Sequence, residues 1–147
     1  MKELTELGKM RLRGNVNKEF EKIEKIYQNK SLTETLNKYK NYFNLCESTY
    51  KVILRDYLIR KDGKADKYLK LDMRQAPAAM KFAGYVIDKE LLSRMFGSEE
   101  KRGKCSAKVL RDRVTHSIDE KAAEEIVQRE KALYKDMDAF LDIVRRG

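Results

Sequence analysis

The sequence predicts an all-α protein, a single-domain bundle of about five helices spanning residues 1–147. Three observations lead there. A chain of 147 residues with 41% hydrophobic content can bury one core. Seven Gly and a single Pro leave little turn chemistry. Apolar residues recur at intervals of three and four, the period of a helix with one buried face, and no alternating strand pattern appears.

Taken in order, Phe20, Ile23, Ile26 and Tyr27 predict a short first helix beginning near Asn17, with Asn17 as its N-cap. The stretch NKSLTE joins it to the second. Leu36, Tyr39, Phe43, Cys46, Tyr50, Ile53 and Tyr57 step by three and four in strict alternation, so a helix runs from about 33 to 60 and Asp62-Gly63 ends it. These tyrosines are packing residues rather than a base-stacking surface. Pro77 suits the first turn of a third helix from about 77 to 96, closed by Gly97. Its apolar positions are Met80, Ala83, Ile87, Leu91 and Met95, with one change of register. GSEEKRGKCS is the most loop-like segment in the chain. From Ser106 a short fourth helix places Val109, Leu110 and Val114 on its apolar side. From about Asp119 a long fifth helix places Ile126, Leu133, Met137, Phe140 and Val144 at heptad-like positions interrupted by Glu130. That stripe reads as core, with a seam against a second chain as the alternative. Between the last two helices, Ser117-Ile118-Asp119-Glu120 has the form of a capping box with Ser117 as N-cap, which puts His116 at a helix junction.

Charge is unevenly placed. The net charge is +9; residues 51–74 hold eight Lys/Arg against four Asp, and residues 101–113 hold six against one. The remainder sums to zero. A basic excess confined to two segments suits a polyanion such as RNA or DNA, although a solvated lysine-rich surface has the same composition. No apolar run approaches the ~20 residues that span a bilayer, and MKELTELGKM lacks the apolar stretch of a signal peptide, so the expected location is the cytoplasm, with no membrane partner. Cys46 and Cys105 lack metal-ligand spacing and read as buried, inert thiols. No His/Cys/carboxylate cluster or Gly-rich phosphate loop is present, so neither a metal nor another cofactor is expected.

His116 is the only histidine. In the last turn of a helix it would interact favourably with the helix dipole and need no catalytic role. Its company suggests more. Arg111-Asp112-Arg113-Val114-Thr115-His116 resembles the signature of HEPN domains, in which an arginine, a polar residue and then a histidine follow one another with four to six residues between Arg and His. Here there are four, and Asp112 stands where Asn is common. The resemblance is borne by residues 108–118, and elsewhere by helix number and order. It implies a helical bundle, a two-fold homodimer, and metal-independent cleavage of RNA, with Arg111 and His116 catalytic and Asp112 supporting. Stand-alone members of this kind often act as toxins or phage-defence nucleases restrained by an antitoxin or other regulatory protein.

The chemistry is coherent on its own terms. Transesterification of RNA needs a base for the ribose 2′-hydroxyl, an acid for the leaving 5′-oxygen, and positive charge beside the phosphorane. Histidine titrates near neutrality, and arginine offers phosphate a two-donor fork that lysine matches poorly. One histidine per chain leaves the acid or the base missing, and a dimer would bring a second. At about 100° per residue, Asp112 lies on nearly the same face as His116, where it can orient the imidazole, while Arg111 lies about 140° away. Either the junction bends, or Arg111 meets a phosphate attacked by the other chain's histidine. Lys101, Arg102, Lys104, Lys108 and Arg113 are candidates for holding the RNA backbone. Thr115 and Ser117 can hydrogen-bond phosphate, with capping the better role for Ser117. The alternatives are a HEPN-like bundle that binds nucleic acid or a protein without cutting, and an adaptor whose basic charge is incidental.

Overall fold

The computed structural model describes residues 6–26, 32–65, 69, 74–97, 104–116 and 119–146. Among them lie seven α-helices: α1 (Glu6–Ile26), α2 (Leu32–Asp62), α3 (Ala76–Phe82), α4 (Lys89–Phe96), α5 (Ala107–His116), α6 (Glu120–Gln128) and α7 (Glu130–Arg146). The all-α class is the one the sequence predicts. The number rises from five to seven because two of the expected helices are broken.

The first helix is longer than its sequence suggests. It begins at Glu6 rather than near Asn17, because Leu12 and Val16, one turn apart, already supply a buried face. Asn17 is therefore interior to α1 and caps nothing; its Oδ1 accepts a hydrogen bond of 2.6 Å from Arg145 Nε on α7. The side chains of Phe20, Ile23, Ile26 and Tyr27 lie outside the described residues, as does much of the NKSLTE joint.

α2 is the central element. Tyr39, Phe43, Cys46, Tyr50 and Ile53 are buried as their spacing predicts, and Tyr42, Thr49 and Leu54 widen the buried face. It packs against α1, α3, α5 and α7. The helix ends at Gly63, whose positive φ of 79° lets its N–H turn back to Ile59 O at 2.8 Å.

The predicted helix over 77–96 is two helices. Gly84 sits at φ 87°, and its N–H donates to Lys81 O while Tyr85 N–H donates to Met80 O, both at 3.0 Å. This paired closure of the last turn stops α3. The chain then extends to Asp88, whose side chain accepts from Glu90 N at 3.0 Å and starts α4. Met80, Ala83, Leu91 and Met95 are buried as expected, and the change of register falls at this break.

Ser106 opens α5. Its Oγ accepts from Val109 N at 3.2 Å and donates to Gly97 O at 2.6 Å, so one hydroxyl caps one helix and ties it to the end of another. Residues 98–103 lie outside the described set. The fifth predicted helix is also divided, at Arg129, into α6 and α7. The break falls where Arg129 Nη1 donates to the carbonyl of Cys105 at 2.9 Å while Glu125 Oε2, its ion-pair partner, accepts from Cys105 N at 3.1 Å. One carboxylate and one guanidinium thus clamp the peptide that leads into α5. The cap of α6 is Asp119, accepting from Ala122 N at 3.0 Å, and not Ser117, because the helix begins only at Glu120. Ser117 itself lies outside the described residues.

Ile126, Leu133, Met137, Phe140 and Val144 are all buried within the chain, so the C-terminal stripe is core and not a seam. The rings meet at Phe96 of α4, whose centroid lies 5.7 Å from Phe43, 5.0 Å from Tyr50 and 5.4 Å from Phe140. Cys46 and Cys105 are buried, and burial pushes the Cys46 thiol well up from its ordinary value, which keeps it protonated and inert. No described helix is long and apolar enough to cross a membrane.

Candidate functional site

α5 is fixed to α2 at two levels. Near its start, Tyr39 Oη donates to Ala107 O at 2.7 Å inside the core. One turn later Arg111 lies over α2. Its Nη1 and Nη2 donate to Glu47 Oε1 and Oε2 at 3.2 and 2.8 Å, a two-pronged grip on the carboxylate. Nη1 also donates to Asn44 Oδ1, and Nε donates to Asp112 Oδ1 at 2.8 Å. The guanidinium carbon stands 4.8 Å from the Phe43 ring centroid, a cation–π contact beneath the ion pair. The Arg111 side chain is 11% exposed.

The local reason is helical spacing. Asn44 and Glu47 are three residues apart on the edge of the α2 stripe, and Phe43, one turn before Glu47, supplies the floor. Burial alone would lower the Arg111 pKa, but hydrogen bonds to Glu47 and Asp112 outweigh it and raise it, so the guanidinium stays charged.

Asp112 joins the same network. Its Oδ2 accepts from Lys108 Nζ at 2.9 Å and its Oδ1 from Arg111. Burial pushes the Asp112 pKa up, yet the hydrogen bonds from Lys108 and Arg111 win and hold it below its ordinary value. A carboxyl depressed in the folded state stabilises the fold above its unfolded pKa of about 3.9 and loses that contribution as pH falls through the folded value. Wild type is therefore expected to melt above Asp112→Asn at neutral pH, with the gap closing as melts are repeated below about pH 4. A gap independent of pH would mean that the carboxylate charge is not what stabilises.

The predicted residues thus separate. Arg111, Asp112 and Lys108 are brought together. Lys104 is exposed and lines a groove beside α6 with Lys121, Glu124 and Gln128, away from Arg111. Arg113 lies on an exposed part of α5. Lys101 and Arg102 lie outside the described residues. Thr115 Oγ1 donates to Arg111 O at 2.7 Å, which commits the hydroxyl proton within the helix. His116 is the last residue of α5, and its side chain is outside the described set. Because α5 is continuous from Ala107 to His116, no break intervenes between positions 111 and 116, which on a regular helix stand about 140° apart around the axis.

Asn44 and Glu47 are the partners that sequence reasoning missed. The only sign of them was their place beside a strong apolar stripe. No group of three or more His, Cys, Asp or Glu side chains suited to a metal occurs among the described residues. No family model, curated protein or solved structure matches the chain.

Proposed function

We propose that the chain is a cytoplasmic, metal-independent endoribonuclease of HEPN type, working as a two-fold dimer and held in check, in a toxin or phage-defence setting, by an antitoxin or other regulatory protein. The observation that supports this most is the Arg111 fork. A guanidinium whose Nη1 and Nη2 already grip two carboxylate oxygens has the planar shape that grips two phosphate oxygens, and it sits on the same short helix as the only histidine.

In this reading one His116 takes the proton of the ribose 2′-hydroxyl as the 2′-oxygen attacks phosphorus. The 5′-oxygen leaves with a proton from the second chain's histidine, giving a 2′,3′-cyclic phosphate and a 5′-hydroxyl. Arg111 balances the charge of the phosphorane. The unbroken α5 favours a site shared between two chains, since positions 111 and 116 stand about 140° apart on one regular helix.

One observation favours a second reading, a HEPN-like bundle that binds nucleic acid or protein without cutting. Nε, Nη1 and Nη2 of Arg111 are all engaged by Asn44, Glu47 and Asp112, so in a single chain the guanidinium works as a brace between α2 and α5.

The deciding experiment incubates purified protein with RNA in EDTA, beside His116→Ala, and identifies the product ends. Cleavage by wild type alone, leaving 2′,3′-cyclic phosphate, is the expected result. RNA that is bound but left whole overturns the nuclease reading in favour of the second, and RNA cut equally by both proteins overturns the assignment of His116 as its acid and base. A strictly monomeric protein on sizing would remove the second histidine from the mechanism.

A further inference from the structure

Two carboxylates hold Arg111, and each has a second cation four residues away on its own helix. Lys51 Nζ stands 3.9 Å from Glu47 Oε1 on α2, and Lys108 Nζ stands 2.9 Å from Asp112 Oδ2 on α5. Pairs at this spacing form within a single helix and need no help from another. Two lysines thus match two carboxylates, and the guanidinium is the surplus positive charge among these five groups. A phosphodiester, with one negative charge, is the anion that would balance it.

Burial decides what an incoming anion meets. The Arg111 side chain is 11% exposed, against 18% for Glu47 and 33% for Asp112. The fully buried Phe43 ring closes the side behind the guanidinium. Nη1 and Nη2 are on Glu47, and Nε is on Asp112. A phosphate therefore reaches the fork only by displacing Glu47, whose two oxygens occupy the places its own would take. Displacing one member of a partly buried pair normally strands a charge, at considerable cost. Here Glu47 has Lys51 to turn to, and Asp112 keeps Lys108. The exchange puts one anion on Arg111 in place of another and leaves each of the five groups with a partner.

We propose that Glu47 is an autoinhibitory stand-in for phosphate, and that Lys51 is a positioning residue which takes over its carboxylate when a phosphodiester of RNA enters the Arg111 fork. The inference rests on the nucleic-acid reading above and adds how that site is kept closed and how it opens. It does not depend on cleavage. Arg111 is fully engaged in the resting protein and needs only to be exchangeable. A fork open in about one molecule in ten would bind with about a tenth of the affinity of the open site.

The test uses the full chain and a labelled single-stranded oligoribonucleotide carrying 2′-O-methyl groups, which cannot be cut by attack of a 2′-hydroxyl. Binding is read by fluorescence anisotropy at low salt, at a temperature where melts show every variant folded. Glu47→Gln keeps the shape of the side chain, loosens its hold on Arg111 and is expected to tighten binding about tenfold. Losing a carboxylate favours any polyanion, so the same change is made in the Arg111→Gln background, where the gain is expected to fall below about twofold. Lys51→Gln is expected to weaken binding about fivefold in wild type and less than about twofold in Glu47→Gln, which has no carboxylate to hand over. A lysine that simply touches phosphate would lose the same factor in both. A Glu47→Gln gain that survives without Arg111, equal losses from Lys51→Gln in the two backgrounds, or no binding by either wild type or Glu47→Gln overturns the latch. Failure of the nuclease reading is read separately, as unmodified RNA left uncut by wild type and by Glu47→Gln while the Arg111-dependent gain in binding is present.

Discussion

Arg111→Ala is expected to lower stability by about 2–3 kcal/mol, which for a chain of this size moves the melting temperature by roughly 8 °C. Removing the guanidinium leaves Glu47, 18% exposed, as a carboxylate without its two-donor partner, and strips the cation–π contact from Phe43. The pair lies between a fully buried ion pair and a surface one, and the figure is set accordingly. Glu47→Ala in the Arg111→Ala background should restore part of the loss, because the stranded charge goes with it. A double-mutant cycle is expected to give a coupling of about 1–2 kcal/mol. Coupling near zero would mean that α5 is held by Tyr39 and the core alone. Arg111→Lys keeps the charge but loses the fork, so a loss of about 1 kcal/mol is expected. The stability effect also bears on activity. An inactive Arg111→Ala protein identifies a catalytic group only if it is still folded at the assay temperature, whereas His116→Ala, at the end of α5, leaves the Arg111–Glu47 brace in place.

Phe96→Ala is expected to cost about 4 kcal/mol. Phe96 is 2% exposed and packs against three rings from α2 and α7, tilted on Phe43, stacked on Tyr50 and edge-on to Phe140. α4 has only eight residues, too few to be helical by itself, so its docking depends on Leu92, Met95 and Phe96. Its other tie to α7, the bidentate contact of Arg94 with Asp136, leaves Arg94 51% exposed and is worth at most about 1 kcal/mol. Chemical denaturation should show the full loss as a shift in midpoint. Phe96→Leu, which leaves a smaller void, should recover more than half of it. A loss under about 1.5 kcal/mol for the alanine variant would mean that α4 contributes little to the folded core.

Where periodicity alone decides structure, the sequence was legible. The α2 stripe and its stop at Gly63 follow from three-and-four spacing and one residue able to take positive φ. The C-terminal stripe was rightly read as core, and Ser106 as the start of α5. The breaks at Gly84 and Arg129 were not foreseen, for different reasons. Gly84 followed four residues later by Asp88 is a stop and a start written in local chemistry, masked by apolar residues that keep nearly helical spacing across the gap. At Arg129 the local sign was slight, the interruption of the stripe at Glu130, and what distinguishes Arg129 is a contact with the Cys105 peptide 24 positions earlier. Asn17 misled because an asparagine suited to a cap serves instead as acceptor for Arg145, 128 positions away. The candidate site divides the same way. Arg111, Asp112 and His116 stand together in one decapeptide and could be picked out, whereas Glu47 is 64 positions from Arg111 and no pattern within either helix links them.

α2 is finished early along the chain, but what covers it comes late. Tyr39 waits for Ala107, Cys46 for the Met137 carbonyl and Tyr42 for Asp138, at separations of 68, 91 and 96 residues. During synthesis at about 5–20 residues per second, the apolar face of α2 is outside the ribosome without its partners for on the order of 5–20 s. For that interval a row of tyrosine, phenylalanine and isoleucine side chains is open to other chains and to chaperones. Substitutions in α7 that delay its docking should therefore reduce the amount of protein a cell accumulates before they alter anything the folded molecule does.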